Sequence, residues 1–121
     1  MTVINAIRYA SAMEETKFSE RMLLRWINQI EAEIQTNLLL MPPTKIIQYT
    51  ETDLEKHLIA RAPFDKLYPE YLIWMIRTAQ GETERANNQK QIFDDAYFAY
   101  ARSLCRQKDK ACEEKGKDPE P

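Results

Sequence analysis

The chain has 121 residues, 44% apolar and 30% charged, with a formal net charge of −2. That is the length of one domain, which buries roughly 65% of its unfolded surface and needs neither metal nor disulfide to hold a core. The weakly acidic balance argues against nonspecific duplex binding as the main task, because such binding runs on phosphate neutralisation, and it leaves room for a local basic patch. Two glycines leave no material for a glycine-rich phosphate loop, and helices with short links are expected.

In chain order, the first predicted helix runs from Val3 to Met13, with Val3, Ile7 and Ala10 on one face and Ile4 beside it. A polar link over Glu14–Lys17 follows. The second helix has the clearest start: Ser19 is a good N-cap, and Phe18 and Leu23 are placed for a hydrophobic staple. Leu23, Trp26, Ile27, Ile30, Ile34 and Leu38 recur at steps of three and four, with Arg25, Gln29, Glu33 and Gln35 read onto other faces. Pro42 and Pro43 stop it.

The segment Thr44–Ala62 differs. Lys45–Thr50 is rich in strand-preferring residues, and a small hairpin with His57–Arg61 competes with a short helix over Asp53–Ile59. The third helix is expected to start near Pro63-Phe64-Asp65, with Asp65 as cap and Pro69 in the first turn. Leu67, Tyr71, Met75 and Thr78 form its stripe, widened by Leu72, Trp74 and Ile76, so it should be central. Gly81 ends it.

The fourth helix is predicted from Thr83 to Lys110, with Ile92, Phe93, Ala96, Tyr97, Tyr100, Ala101 and Leu104 buried against its antiparallel neighbour. The domain is therefore read as residues 1–110. Residues 111–121 are read as a disordered tail, since nothing beyond Cys112 can anchor them. Neither a signal-peptide layout nor an apolar run of the ~20 residues that a spanning helix requires is apparent, so synthesis in a cytoplasm is expected.

Catalytic and metal patterns are sparse. His57 is the single histidine, with no nucleophile arranged beside it in sequence, and it reads as exposed or capping. Cys105 and Cys112 are two helical turns apart, roughly 10 Å along an axis, too far for a disulfide, and neither has zinc-ligand spacing with His57. Glu14-Glu15, Asp94-Asp95 and Glu113-Glu114 read as solvated faces. Tyr68, Tyr71, Trp74, Phe93, Tyr97 and Tyr100 read as packing between helices three and four, or as a partner-facing patch. Asn87-Asn88 inside a helix is unusual, because asparagine competes for backbone hydrogen bonds; one of them ties down a loop or a neighbouring subunit, or both face water. No enzyme, cofactor or metal site is expected.

Several pieces in order resemble one family. The chain carries Pro63, Phe64, Asp65, Leu67 and Tyr68 as a Pro-aromatic-Asp-x-Leu-Tyr motif. A helix then ends in Gly81-Glu82, followed by Glu84-Arg85-Ala86-Asn87-Asn88 and an aromatic helix with Phe93 and Ala96-Tyr97. The Phe-Ser start and Arg25-Trp26-Ile27-Asn28 of helix two are similar too. Together, over about Phe18 to Leu104, these resemble the small head–tail connector (adaptor) proteins of siphovirus-like phages and prophages of Firmicutes. The link from Met41 to Tyr49 is shorter than in that family, and the charged, cysteine-bearing end of the last helix is an addition.

The resemblance implies a mainly α, four-helix bundle-like connector fold with a short extended or hairpin segment between helices two and three. It implies a virion protein made in the bacterial host, forming a ring of typically about twelve copies on a portal protein and lining part of the DNA channel. Its partners would be the portal, copies of itself and a tail-completion protein, with DNA passing without sequence-specific binding and no membrane involved. Lys45, Tyr49, Lys56, Arg85, Asn87 and Asn88 are the interface candidates. The competing reading is a cytoplasmic helical protein-binding or regulatory module that captures a partner helix.

Overall fold

The computed structural model describes the backbone of residues 1–15 and 17–117 and the side chains of residues 1–15 and 17–107. Four α-helices carry the chain: α1 (Val3–Met13), α2 (Glu20–Glu33), α3 (Leu67–Ala79) and α4 (Thr83–Lys117). Helix α1 has the predicted bounds, capped by Thr2, whose hydroxyl accepts the Asn5 N–H at 3.3 Å. Ser19 caps α2 as expected, accepting from the Met22 N–H at 3.3 Å. Phe18 lies edge-on to Trp26 with ring centroids 5.4 Å apart, which fixes the entry angle of α2.

Helix α2 does not run as regular α-helix to the prolines. Its last turn, Ile34–Leu38, is a π-helix, with the Leu39 N–H bonded to the Ile34 carbonyl at 3.0 Å. Leu40 then takes φ 55°, and the Met41 N–H returns to the Gln35 carbonyl at 2.9 Å. This is a left-handed helix stop of the kind glycine usually makes, one residue wider to match the π turn, and an exposed leucine occupies it.

Helix α3 starts at Leu67, later than expected, and Lys66 rather than Asp65 stands at its cap position. Asp65 is not the cap: its carboxylate lies 3.3 Å from the Met1 amino group. Pro69 sits in the first turn, where its missing N–H costs nothing. Gly81 has φ 79° and turns the chain into α4. The pairs Phe64–Tyr100, Tyr71–Phe93 and Arg77–Gln89 run in opposite chain directions, so α3 and α4 are antiparallel. Helix α4 extends to Lys117, seven residues past its predicted end; the tail predicted to be disordered has its side chains, and all of residues 118–121, outside the described residues.

The core is a single cluster in which α3 contacts each of the other three helices. Val3, Ile7, Leu23, Ile27, Ile30, Ile34, Leu67, Leu72 and Ile76 are essentially inaccessible. Two stripe assignments change. Ile92 is half-exposed, and Thr78 is exposed with its hydroxyl on the Trp74 carbonyl at 2.8 Å. Among the described residues no helix is long and apolar enough to cross a membrane.

Between α2 and α3 neither the hairpin nor the helix over Asp53–Ile59 forms. A 3₁₀ turn covers Pro43–Lys45, Ile46 is extended (φ −68°, ψ 125°), and the only β-type pairing among the described residues is an isolated antiparallel bridge between Thr2 and His57. The amino-terminal segment supplies that pairing: the Val3 and Ile4 N–H groups donate to the Lys56 and Leu54 carbonyls, and the Leu58 N–H donates to the Met1 carbonyl. A cis peptide joins Ala62 to Pro63.

An added Cβ at Gly81 would meet nothing within 4 Å, so any penalty there is purely backbone. Gly81→Ala should therefore lower stability by about 1 kcal/mol in urea denaturation, with no change in fold.

Candidate functional site

Three polar residues one and two turns apart on α2 and its π extension, Asn28, Glu31 and Gln35, face the middle segment instead of water. Each meets backbone there. Asn28 donates from Nδ2 to the Tyr49 carbonyl at 2.9 Å and accepts the Tyr49 N–H at 2.8 Å. Gln35 donates from Nε2 to the Ile47 carbonyl at 3.0 Å and accepts the Ile47 N–H at 2.8 Å. The two carboxamides thus serve as a strand partner for alternate residues of the segment. Gln35 also donates to the Glu31 carbonyl at 3.2 Å.

Glu31 lies between them with no accessible surface. Its Oε2 accepts from the Tyr49 hydroxyl at 2.8 Å and the Ile59 N–H at 3.1 Å, and its Oε1 accepts from the Tyr68 hydroxyl at 2.5 Å. The Tyr68 hydroxyl in turn accepts the Ala60 N–H at 2.8 Å. One carboxyl group therefore ties α2 to both ends of the middle segment and to the first turn of α3. Burial pushes the Glu31 carboxyl above its usual range, and the hydrogen bonds from Tyr68, Tyr49 and Ile59 pull it part of the way back. Burial raises the Tyr49 and Tyr68 hydroxyls, with the nearby Glu31 charge adding to it, so both remain proton donors. With both Glu31 oxygens engaged and none exposed, the cluster is a clamp that joins three parts of the chain.

A second polar cluster joins α1 to the α3–α4 pair. Glu14, almost fully buried, accepts from Arg77 at 3.1 Å and lies 3.2 Å from Arg85. Arg77 also donates to Gln89 Oε1 at 3.4 Å, while Gln89 Nε2 donates to the Glu70 carbonyl at 3.0 Å and to the Glu70 carboxylate. Arg85 further pairs with Glu82 at 3.0 Å.

The interface candidates fall into different surroundings. Lys45 is exposed. Lys56 is exposed and pairs at 3.0 Å with Asp53, whose carboxyl is held below its usual range by the Thr50 N–H, Lys56 and the Thr50 hydroxyl. Arg85 is half-exposed in the second cluster. Asn87 and Asn88 are both exposed with no side-chain hydrogen bond to another described residue, so the water-facing reading is the one realised within this chain; the neighbouring Gln89 makes the tie. Tyr49 is buried and is not a surface residue. His57 and Cys105 are exposed and lie in no metal-holding group; among the described residues no three His, Cys, Asp or Glu side chains form one.

Glu31 and Gln35 were missed because helical periodicity assigns polar residues outward. A signal did exist: Asn28, Glu31 and Gln35 sit three and four apart, within the same arc as Leu24, Ile27 and Ile34. No family model, curated protein or solved structure matches the chain.

Two outcomes follow. The native carboxyl of Glu31 binds its proton more tightly than the unfolded one, whose value is 4.5. Its contribution to stability is therefore greatest below that pH and falls as pH rises through the raised native value. Glu31→Gln places an NH₂ among donors; it should cost about 1–3 kcal/mol at neutral pH and remove that slope, read by urea denaturation across pH. Gln35→Ala should cost a similar ~1–3 kcal/mol and speed amide exchange at Ile47 more than at Tyr49, which Asn28 still holds.

Proposed function

We propose that this chain is a non-enzymatic structural subunit, a head–tail connector of the phage type, with a four-helix bundle-like body that forms a ring with copies of itself on a portal and surrounds passing DNA. The observation that carries the reading is the ordered motif set from Phe18 to Leu104, together with the work its members perform in the fold. Tyr68 of the Pro-aromatic-Asp-x-Leu-Tyr motif and Tyr49 donate to Glu31. Asn28 after Arg-Trp-Ile holds Tyr49, and Gly81 of the Gly-Glu link provides the left-handed turn. These motif residues are determinants of a shape, as expected of a protein whose task is to be one part of an assembly.

The partner-helix reading relied on broad apolar faces of α2 and α3. Leu23, Ile27 and Ile30 of α2 and Leu72 and Ile76 of α3 are covered within the subunit, so no such groove stands open there. The exposed chemistry of the middle segment, with Lys45 at its start, suits contact between subunits better. In that assembly the virion is the place of action, and the portal and a tail-completion protein are the flanking partners.

Sequencing the DNA around the gene is the first test: portal and capsid genes upstream and tail genes downstream are expected, and a metabolic neighbourhood overturns the reading. Lys45→Glu should then lower ring assembly on the purified portal several-fold, scored by electron microscopy, with thermal stability unchanged. Lys56 is a poorer probe, because its reversal also opposes Asp53.

A further inference from the structure

Glu31 accepts from the Tyr49 hydroxyl, the Ile59 N–H and the Tyr68 hydroxyl and donates to nothing, which is the arrangement of a carboxylate. No cation pairs with it among the described residues. The ionisable groups that face it are Tyr49 from the middle segment, Tyr68 from α3 and Tyr100 from α4; Arg61 and Asp53 act on Tyr49. The negative charge is therefore held by hydrogen bonds alone.

A proton taken from solvent turns one carboxyl oxygen from acceptor into donor, and a buried donor needs an acceptor. The two tyrosines differ in that role. The Tyr68 hydroxyl already accepts the Ala60 N–H at 2.8 Å, and its own hydrogen has no acceptor other than Oε1 among the described residues. The Tyr49 hydroxyl accepts nothing, and it has a second acceptor in the His57 backbone carbonyl, 3.4 Å away. That carbonyl bonds to no other described residue, although the Lys56 carbonyl and the Leu58 N–H beside it are paired with the amino-terminal segment.

We infer that Tyr49 is a hydrogen-bond switch for Glu31: with a proton on Oε2, the carboxyl O–H donates to the Tyr49 oxygen and the Tyr49 O–H turns to the His57 carbonyl. One proton is gained from water, the Glu31 O–H is the single covalent bond formed, and no tyrosinate appears. Tyr68 still donates to Oε1, and the Ile59 N–H keeps Oε2 as a weaker acceptor. A proton on Oε1 would instead leave the Tyr68 hydrogen without a partner. Acid thus rewires the clamp without releasing it, so Tyr49 and Ile59 stay tied to α2 in both states. Burial, which favours the neutral carboxyl, acts in the same direction. The inference is independent of what the chain assembles with.

Carbon-13 NMR of the Glu31 side-chain carboxyl and of the backbone carbonyl at position 57 tests it, from neutral pH down to the onset of unfolding. The His57 imidazole can carry a charge of its own, so the chain used is His57→Gln, which keeps the carbonyl. Both carbons should move with one midpoint, above 4.5, the carbonyl shifting downfield as it gains its hydrogen bond. Adding Tyr49→Phe should hold the carbonyl still while the Glu31 carboxyl continues to titrate. A carboxyl that titrates with no movement at position 57 overturns the proposal. So does a carbonyl that still follows it in Tyr49→Phe, or a carboxyl that stays ionised until the chain unfolds. If His57→Gln misfolds, the same two carbons in the unaltered chain, compared with Tyr49→Phe alone, decide: the imidazole contributes equally to both.

Discussion

The structure depends on one buried carboxyl group. Taking Glu31 out of water is costly, and the cost is offset only because three donors converge on it from three places in the chain. Those places are the beginning of the middle segment, its end, and the first turn of α3. The segment between α2 and α3 makes few backbone bonds of its own, so its course is set by side chains of α2 and by the amino-terminal backbone at Met1–Ile4. A polar core of this kind fixes one arrangement where apolar packing alone would permit several.

The second cluster acts similarly at the other end. Glu14 closes α1 and meets Arg77 of α3 and Arg85 of α4, so the first helix is keyed to the helical pair by charge as well as by Val3, Ile7 and Ala10. Gln89 adds a link from α4 to the Glu70 carbonyl in the first turn of α3. The fold is held by polar ties at two places and by aliphatic packing between them, with the aromatic stack of Tyr71, Trp74 and Phe93 on the α3–α4 seam.

Much of this was legible in the sequence. The bounds of α1, the Ser19 cap, Pro69 in a first turn and Gly81 at a helix end all follow from local backbone chemistry, which one sequence displays in full. The middle segment was not, because its order comes from α2 residues twelve to twenty-eight positions away, and hairpin propensity in Lys45–Thr50 expresses itself against a helix instead of a second strand. Glu31 and Gln35 were hidden for a related reason: a polar residue within an apolar arc reads as noise until its partner is known. Tyr49 was placed at the surface because a tyrosine in a polar stretch gives no sign of the carboxylate that receives its hydroxyl.

The π turn at Ile34–Leu38 carries a consequence for how this chain can vary. A π turn holds more than the 3.6 residues of an α turn, so the residues after it are set back in phase about the axis. The apolar spacing through Ile30, Ile34 and Leu38 is compatible with ordinary helix, which is why periodicity passes over it. Removing one residue would let the turn relax to α geometry with Leu39, Leu40 and the two prolines close to their present phase, because five π residues turn the chain about as far as four α residues. The segment beyond would then still leave from the same side of α2. Loss of one residue at an exposed position such as Thr36 or Asn37 is thus a length change that this stretch can absorb, with the path from Met41 to Ala60 kept.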